Sequence, residues 1–348
     1  MRNLLIITQK VDEEDDLLGF FVSWIREFAS NFDKIYIITL GKGKYNLPGN
    51  VFIYSLGKER GSSRIARFFN FYKFLFHIMP KVDAVFAHMS PIFVIASWPA
   101  AFIFRKKIVL WYLHRSVTLR LKIAEKLSYK IATAARESLK FNSKKIVETG
   151  HGIDIEKFKT KKNWAGDKLR ILSVGRISPI KNFETLINAL GILKKEGFNP
   201  NLNIIGRPIM SEDFSYQEYL KNLTAQLGLE KNTHFIGFVP YTAISSYYKE
   251  ADFCVGPLPT GGIDKAMLEG MAAGCIVLTS NHAFEKYFGK HSGELIFSNA
   301  DDLALKLKNS FLKSEIEKGE ISEFLVKSVQ QNHNLTNLIN KISNLYDR

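Results

Sequence analysis

The sequence predicts an α/β protein in which parallel sheets are covered by helices on both faces. Short apolar segments of strand length alternate with helical patterns along the whole chain, which is typical of this class. The length of 348 residues suits two domains of roughly 150 to 180 residues, because a single hydrophobic core rarely grows so large. Hydrophobic residues make up 46% of the sequence, which favours a globular protein over a disordered or membrane-spanning one.

The strands are predicted from apolar runs that lie between turn signals. In the first half they are expected at 4–8, 34–40, 51–56, 84–87, 108–113, 131–134 and 145–148. In the second half they are expected at 170–174, 202–205, 233–236, 252–255, 276–279 and 294–297. The boundary is predicted near 150–164, which gives an N-terminal domain at 1–155 and a C-terminal domain at 156–329. An apolar stripe at helical spacing predicts a last helix within 330–348.

The cysteines and the lengths of the apolar runs indicate which classes of protein the chain does not resemble. Cys254 and Cys275 lie in apolar strands, which predicts reduced core thiols in a cytoplasmic protein rather than a disulfide or a zinc site. The first ten residues are typical of a first strand and too short for a signal peptide. The longest apolar run, at 91–104, has 14 residues. That is below the roughly 20 residues that a membrane-spanning helix needs.

Positive charge is concentrated in the first half of the chain. Residues 1–150 carry 24 Lys and Arg against 12 Asp and Glu, a net charge of +12. Residues 151–348 carry 24 against 22, a net charge of +2. Segment 60–81, drawn as a helix, shows more aromatic surface than one core-facing stripe needs. Arg60, Arg64, Arg67 and Lys73 are interleaved with its aromatic residues, and a second basic cluster in the same domain begins with Arg105, Lys106 and Lys107.

Two interpretations of this basic and aromatic segment stay open. An interfacial helix on anionic lipid has this composition, and each basic residue near such a surface contributes about 1 kcal/mol. Alternatively, the aromatic residues belong to the core and the charges form an ordinary solvated surface. A nucleic-acid partner would have similar electrostatics, but the sequence contains no recognisable nucleic-acid-binding module.

The segment at 172–183, LSVGRISPIKNF, places two cations at the end of an apolar strand. Gly175 and Arg176 follow the strand, Lys181 lies in a short loop, and Asn182 is a candidate cap for the next helix. Open α/β sheets bind ligands at the carboxyl ends of their strands. The two-donor fork of an arginine and the mobile charge of a lysine can together neutralise a pair of phosphates.

The segment at 256–275, GPLPTGGIDKAMLEGMAAGC, also follows an apolar strand and leads into a helix, but through a glycine-rich loop. Gly261 and Gly262 allow a ligand to approach the backbone closely, and Ile263 and Asp264 lead into a helix whose free amides attract an anion. Glu269 lies within that helix. The apolar residues of the helix are predicted to share one face: Met267, Leu268, Met271 and Ala272. Together the two segments predict the halves of a pocket for a diphosphate-linked sugar.

In order and spacing, these segments resemble the donor site of retaining GT-B glycosyltransferases of the family 4 type, or glycosyl transferases group 1. The resemblance runs along nearly the whole chain and implies two Rossmann-like, doubly wound domains that face each other across a cleft. It also implies that Arg176 and Lys181 grip the donor diphosphate and that Glu269 holds the nucleotide ribose. His114 matches a histidine that hydrogen-bonds the donor sugar, and Gly19 matches a loop glycine that admits the diphosphate.

The chain departs from the family pattern at one position. The family usually has a glutamate, which contacts the transferred sugar, eight residues before the one matched by Glu269, and this chain has Gly261 there. Asp264 could supply a carboxylate from the first helical turn, or it could simply favour the positive end of the helix. A rival interpretation is therefore a protein that binds a nucleotide-sugar or glycan without turnover. His88, at another strand end, is a further candidate, and the acidic run at 12–16 either selects an acceptor or is a solvated loop.

The resemblance implies a glycosyltransferase that needs no metal, because protein cations stabilise the departing diphosphate. The nucleotide-sugar is then a substrate, and no cofactor is expected. The expected acceptor is a lipid-linked or surface glycan bound by the basic N-terminal domain, onto which the last helix packs back. Peripheral contact with the cytoplasmic face of an anionic membrane is expected, and nucleic acid is not an expected partner.

Overall fold

The computed structural model describes residues 2–164, 166, 168–259 and 261–347. Their contacts divide the chain into two compact units, each with its own parallel sheet. Unit 1 contains the described residues of 1–154, 240–242 and 333–348, and unit 2 contains those of 155–239 and 243–332. The predicted α/β class with two parallel sheets is confirmed.

Unit 1 is built on a seven-stranded sheet. Its strands are β1 (Asn3–Val11), β2 (Lys34–Lys42), β3 (Val51–Ser55), β4 (Ala84–His88), β5 (Lys107–Trp111), β6 (Lys130–Thr133) and β7 (Ile146–Glu148). They pair in parallel in the order β3-β2-β1-β4-β5-β6-β7, so the direction of winding reverses between β1 and β4. Residues 4–7 of β1 are all apolar and buried, as expected of a central parallel strand with both faces covered.

Unit 2 is built on a five-stranded sheet. Its strands are β8 (Lys168–Val174), β9 (Asn199–Ile205), β10 (Thr233–Gly237), β11 (Phe253–Gly256) and β12 (Ile276–Thr279). They pair in parallel in the order β10-β9-β8-β11-β12, and the winding reverses between β8 and β11. Both sheets are therefore doubly wound.

Helices connect the strands of each unit. They are α1 (Phe21–Asn31), α2 (Arg64–Ile78), α3 (Pro91–Ile103), α4 (Leu119–Leu127), α5 (Ile155–Phe158), α6 (Phe183–Lys195), α7 (Ser211–Gln226), α8 (Ile244–Glu250), α9 (Lys265–Ala272), α10 (Glu285–Phe288), α11 (Ser292–Leu295), α12 (Ala300–Leu312), α13 (Glu315–His333) and α14 (Leu335–Asn344). No helix in the described residues is both long and apolar enough to cross a membrane.

The sheet of unit 1 has a separate core on each face. On one face, α2, α3 and α4 pack against the sheet through residues such as Phe71, Val94 and Leu121. On the other face, α1 and α14 pack together over residues such as Trp24 and Phe86. The apolar stripe of α14 faces this second core, and the Tyr346 hydroxyl donates a hydrogen bond of 2.8 Å to the carbonyl of Val85 in β4.

The predicted strand at 294–297 is wrong. Residues 292–295 form α11, and Ile296 makes only an isolated bridge with Thr279 of β12. Short apolar runs fit a buried helical turn as well as a strand, because periodicity cannot distinguish the two. The other 12 predicted strands are present, with ends that differ by a few residues.

The basic and aromatic segment at 60–81 is also not one continuous helix. A 3-10 turn at Lys58–Arg60 precedes it, and another at Met79–Lys81 follows α2. The first turn of α2 is capped by Ser63, whose hydroxyl accepts a hydrogen bond from the amide of Ala66 at 3.1 Å.

Candidate functional site

The two motif segments leave the sheet of unit 2 from neighbouring strands. β8 and β11 are paired at Ile171 with Phe253 and at Leu172 with Cys254. The loop with Arg176 and Lys181 follows β8, and the glycine-rich loop follows β11, so both begin at the point where the winding reverses. This is the position at which open α/β sheets form a ligand-binding crevice. Thr260, within the second loop, lies outside the described residues.

Lys181 and Asp264 link the two loops directly. The Lys181 Nζ and Asp264 Oδ2 atoms are 2.7 Å apart, and both side chains are partly buried. Gly175 provides the space for this approach, because a Cβ at that position would lie 3.1 Å from the Cε of Lys181. A lysine that is already positioned by a carboxylate loses less conformational entropy when it binds an anion.

Asp264 also caps helix α9. Its Oδ1 atom accepts a hydrogen bond of 3.0 Å from the amide of Ala266, while Oδ2 contacts Lys181. The helix-start role considered for Asp264 is therefore present, together with an ion pair that the sequence did not indicate. Asn182 precedes α6 in a left-handed conformation, with φ of 54°, and makes no capping bond. Asn182 thus occupies the cap position predicted for it, but its side-chain oxygen accepts a hydrogen bond from the Thr185 hydroxyl and not from a backbone amide.

Arg176 is held by a buried carboxylate. Its Nε lies 3.8 Å from Oδ2 of Asp213, whose side chain is 2% exposed, whereas the Arg176 side chain is 38% exposed. Burial alone would raise the pKa of Asp213, but the amides of Ile209 and Met210 and the guanidinium of Arg176 lower it below its usual value. The lowered pKa favours a charged Asp213 carboxylate beside Arg176, whose side chain stays partly exposed to solvent.

Glu269 is buried inside unit 2. Its carboxylate accepts a hydrogen bond of 3.2 Å from the hydroxyl of Tyr248 and forms an ion pair with Lys265 one turn earlier in α9. Burial and the neighbouring Glu269 raise the pKa of Tyr248 well above its usual value, so this hydroxyl stays a donor. Helix α9 is buried at all residues from 266 to 272. The apolar residues predicted to share one face, Met267, Leu268, Met271 and Ala272, are thus all buried, and so are Glu269 and Gly270 between them.

The glycines at the start of this helix differ in conformation. Gly261 has φ of 144°, a region that other residues rarely adopt, although a Cβ there would meet only Leu258 at 3.6 Å. The carbonyl of Gly262 accepts a hydrogen bond of 3.0 Å from the Asn281 side chain, and Ile263 is buried. The hydrogen bond to Asn281 thus fixes the loop at Gly262. Gly261 adopts a backbone conformation that favours glycine.

The remaining predicted donor residues belong to unit 1. His114 is exposed and lies three residues beyond the end of β5. Its Nδ1 accepts a hydrogen bond of 3.1 Å from the amide of Ser116, so in the neutral ring Nε2 carries the proton and is a donor. Gly19 is required by its own loop, because a Cβ would lie 2.9 Å from the carbonyl oxygens of Glu13 and Asp15.

Two further candidates from the sequence have structural roles. His88 is fully buried and stacks on Phe21 with ring centroids 3.6 Å apart, and burial lowers its pKa to about 3. It is therefore a neutral core residue, not an exposed ligand contact. The acidic run is largely paired: Lys10 lies 2.9 Å from both Asp12 and Asp15. This pairing favours the solvated-loop interpretation of the run.

The basic and aromatic segment divides between core and surface. Phe71 and Leu75 of α2 are buried, whereas Phe68 and Phe69 are 58% and 67% exposed. The predicted basic residues Arg60, Arg64, Lys73 and Arg105 are exposed, and Arg67, Lys106 and Lys107 are half-buried. Neither of the two interpretations accounts for the whole segment, because its aromatic residues are found in both environments.

Three features of the site were not predicted from the sequence. They are the contact of Asp213 with Arg176, the hydrogen bond from Tyr248 to Glu269, and the ion pair of Lys265 with Glu269. Asp213 and Tyr248 lie on α7 and α8, outside both motif segments, and no local signal connects them to the site. Lys265 and Glu269 are four residues apart in one helix, a spacing that could have indicated their pairing. The described residues contain no cluster of three His, Cys, Asp or Glu side chains suited to a metal ion.

Comparison with solved structures relates the fold to glycosyltransferases. The structure of Alr3699/HepE from Anabaena in complex with UDP-glucose aligns with a TM-score of 0.74 and 16% identity over 100% of both chains. The apo form of the lipopolysaccharide outer core galactosyltransferase WaaB aligns with a TM-score of 0.65 and 14% identity, covering 99% of this chain and 100% of that one. These identities are low, so the similarity shows a shared GT-B fold, which confirms the predicted fold class.

Sequence comparison gives matches to curated glycosyltransferases. The chain is 34% identical over 148 residues to the amylovoran biosynthesis glycosyltransferase AmsK of Erwinia amylovora, which covers 40% of this chain and 35% of AmsK. It is 30% identical over 162 residues to the capsular polysaccharide biosynthesis glycosyltransferase CapH of Staphylococcus aureus, covering 45% of this chain and 44% of CapH. The chain thus matches less than half the length of these relatives.

A family model covers the unit that carries the two motif segments. The model described as glycosyl transferases group 1 matches residues 154–327, which is half of the chain. With its doubly wound sheets and its paired loops at the switch point of unit 2, this chain belongs to the glycosyl transferases group 1 family.

Proposed function

We propose that this protein transfers a sugar from a nucleotide diphosphate sugar to a glycan acceptor, with retention of configuration at the transferred carbon. The observation that carries the proposal is the contact between the two motif loops, where Lys181 pairs with Asp264 at the switch point of unit 2. Family membership adds support, as do the relatives that are named for amylovoran and capsular polysaccharide biosynthesis.

In this proposal the donor diphosphate binds against Arg176 and Lys181. Negative charge develops on the diphosphate as the bond to the sugar breaks, and fixed cations stabilise that charge without solvent reorganisation. Asp213 and Asp264 keep the two cations in position before the donor arrives. Because protein cations neutralise the leaving group, the reaction needs no metal ion and no cofactor.

The other predicted residues complete the donor site. Glu269 holds the ribose of the nucleotide, with its carboxylate positioned by Tyr248 and Lys265. His114 donates a hydrogen bond from Nε2 to the donor sugar, since its Nδ1 already accepts from the amide of Ser116. Gly19, Gly175, Gly261, Gly262 and Ile263 shape the backbone around the diphosphate.

The acceptor is a lipid-linked or surface glycan, and it binds to the basic unit 1. The exposed Phe68 and Phe69 lie in the basic helix α2, a composition suited to peripheral contact with an anionic membrane. We place the protein at the cytoplasmic face of such a membrane, where nucleotide-sugars and lipid-linked acceptors meet. Nucleic acid is not part of this proposal.

The test is to measure binding and turnover of a panel of nucleotide-sugars. Calorimetry gives binding, and release of free nucleoside diphosphate gives turnover, with lipid extract added as a source of acceptor. We expect one donor to bind and to be consumed. Lys181→Ala should weaken binding about tenfold and lower kcat by a factor of about 10² to 10³, the usual effect of removing one group that stabilises developing charge.

Lys221→Ala is the matched control for this variant. Lys221 is also a lysine of unit 2 in an ion pair, with Glu218 at 2.7 Å, but it is exposed on α7. Its replacement should leave binding and turnover unchanged. If no nucleotide-sugar binds to the wild-type protein, the donor-site proposal is wrong.

A second candidate function is binding of a nucleotide-sugar or glycan without turnover. The observation that favours it is Gly261, which stands where the family usually has the glutamate that contacts the sugar. Gly261→Glu tests it, with Gly261→Ala as control, because both variants carry the backbone cost of φ at 144° and only the first supplies a carboxylate. If the wild type binds a donor without turnover and only Gly261→Glu releases nucleoside diphosphate, the non-catalytic function is correct. If the wild type turns over, the glutamate is dispensable.

A further inference from the structure

Unit 1 contains an apolar groove between α2 and the starts of α3 and α4. It has a volume of about 640 Å³. Leu56, Phe71 and Phe93 form its buried floor. The groove lies towards the carboxyl ends of β2 and β3, the edge at which open α/β sheets bind ligands. Its volume is in the range of about 300 to 1,000 Å³ that is usual for small-molecule sites.

Three arginines line this apolar groove: Arg64, Arg67 and Arg120. Among the residues that the structure describes, none of the three forms an ion pair, and the Nε of Arg67 is buried without a hydrogen-bond partner. The sequences of α2 and α3 contain no Asp or Glu. Arg64 and Arg120 are exposed to solvent, whereas Arg67 is half-buried beside apolar surface, where a positive charge is unfavourable unless an anion compensates it.

The positions of these arginines within their helices strengthen this point. Arg64 and Arg67 lie in the first turns of α2, and Arg120 lies in the first turn of α4. The first turn of a helix is the positive end of its dipole, where cations are disfavoured and anions are stabilised. The groove therefore combines three guanidinium groups, which have no acidic partner in the part of the chain that the structure describes, with two helix starts that also favour an anion.

The chemistry of the groove selects one type of ligand. A free inorganic anion would leave the apolar floor unused, and a neutral lipid would leave the arginines uncompensated. Arginine recognises phosphate oxygens by two parallel hydrogen bonds. A phosphate attached to an apolar chain satisfies both parts of the groove at once.

We propose that this groove binds the phosphate and the adjoining chain of a single-chain lipid phosphate that carries the acceptor glycan. The inference rests on the proposed function and narrows its acceptor to this chemical class. His114 lies on the connection between β5 and α4, and Arg120 lies in the first turn of α4, so a proposed donor contact and the groove are close in sequence within unit 1.

The first test measures binding of farnesyl phosphate to the full-length protein by calorimetry. Farnesol and inorganic phosphate are measured alongside, because each represents one half of the probe. We expect farnesyl phosphate to bind at least tenfold more tightly than either. Equal binding of inorganic phosphate would overturn the proposal, because the apolar floor would then contribute nothing.

Variants then locate the site. Arg64→Gln, Arg67→Gln and Arg120→Gln should each weaken binding of farnesyl phosphate at least fivefold. Lys34→Gln is the matched control: it removes one positive charge from an exposed position at the amino end of β2, on the opposite edge of the sheet. A similar loss in the control would indicate non-specific attraction and would contradict the proposal.

A groove-filling variant tests the apolar part without changing charge. Ala96 lines the groove, so Ala96→Phe should weaken binding of farnesyl phosphate at least fivefold and leave inorganic phosphate unaffected. Thermal denaturation of each variant verifies that it is folded. Unchanged binding in a folded Ala96→Phe variant would show that the chain does not enter the groove.

Two further measurements are needed. One distinguishes a single-chain lipid phosphate from a membrane phospholipid, and the other distinguishes failure of the groove proposal from failure of the proposed transferase function. Dihexanoyl phosphatidylglycerol, which has two chains, should bind at least tenfold more weakly than farnesyl phosphate, and equal binding would indicate a phospholipid contact instead. Nucleotide-sugar binding is measured on the same samples. Donor turnover without farnesyl phosphate binding would overturn the groove proposal alone, whereas the reverse result would overturn the proposed transferase function and leave the groove as a lipid-phosphate site.

Discussion

At the scale of single residues, Arg176 depends on the buried carboxylate of Asp213 for its position. We predict that Asp213→Asn weakens nucleotide-sugar binding about tenfold, although Asp213 is not itself a proposed ligand contact. The loss of hydrogen bonds to a charged acceptor should also lower the free energy of unfolding by about 1 to 3 kcal/mol. Calorimetric binding and thermal denaturation measure the two effects. Glu212→Gln, which removes the neighbouring exposed charge, is the control and should have neither effect.

The stability difference between the wild type and Asp213→Asn should depend on pH. The pKa of Asp213 is lowered in the folded protein, so its charge stabilises the fold above the unfolded pKa of about 4. This contribution is lost as the pH falls through the lower, folded pKa. The Tm difference should therefore be constant above about pH 5 and shrink below about pH 4. A difference that grows on acidification would contradict the assigned direction of the shift.

The residue types of the candidate site could be predicted from the sequence, but their partners could not. Arg176 and Lys181 follow a strand that is evident from its apolar run, so their position at a sheet edge follows from local pattern. Asp213 and Tyr248 reach the site from other helices, and such contacts depend on tertiary packing. Lys181 and Asp264 are also 83 residues apart, which no local pattern connects.

At the scale of elements, the carboxylate of Glu269 on α9 is positioned from two helices, by Tyr248 of α8 and by Lys265 of α9 itself. The single hydroxyl proton of Tyr248 is shared between two acceptors, the carbonyl of Ala266 at 3.0 Å and the carboxylate of Glu269 at 3.2 Å. We predict that Tyr248→Phe lowers the free energy of unfolding by about 1 to 3 kcal/mol, because two buried acceptors lose a donor. Nucleotide binding should weaken with it, by about tenfold. Tyr219→Phe on the exposed surface of α7 is the control, and an equal loss in both variants would rule out a positioning role for Tyr248.

Helix α14 gives a test of core packing in unit 1. Leu338 is fully buried in the same core as α1. Leu338→Ala should therefore lower the free energy of unfolding by about 2 to 5 kcal/mol, the usual range for truncating a buried leucine. Asn340→Ala, at an exposed position of the same helix, should change it by less than about 0.5 kcal/mol. Chemical denaturation of unit 1 would measure both, and equal effects would contradict the packing described.

Whether a segment forms a helix or a strand could be predicted where its apolar pattern and its length indicate the same element. The parallel strands appear as continuous apolar runs because both of their faces are covered. The error at residues 294–297 arose because a helical turn with the same composition was also consistent with the sequence. The segment at 60–81 was divided by a glycine in the left-handed region, Gly61 with φ of 72°, and by Pro80.

At the scale of the whole molecule, the charge is divided unevenly, with a net +12 in residues 1–150. This asymmetry predicts salt-dependent binding to anionic membranes. Vesicles of phosphatidylcholine with one quarter phosphatidylglycerol should bind the protein at 0.1 M salt, where the screening length is about 10 Å. Binding should fall at least tenfold at 1 M salt, where that length is about 3 Å. Equal binding to pure phosphatidylcholine would contradict an electrostatic contribution.

The binding that remains at high salt should come from exposed aromatic residues, because burial of apolar surface is not screened by salt. Phe68 and Phe69 are the exposed aromatic residues at the start of α2, in the same helix as three of the predicted basic residues. We predict that the double variant Phe68→Ser, Phe69→Ser binds anionic vesicles almost as well as the wild type at 0.1 M salt but at least tenfold more weakly at 1 M. Phe214→Ser is the control, since Phe214 is equally exposed but lies in unit 2. If the control loses as much binding as the double variant, the apolar contact is not specific to α2. If the double variant loses none, the basic surface of unit 1 acts by charge alone.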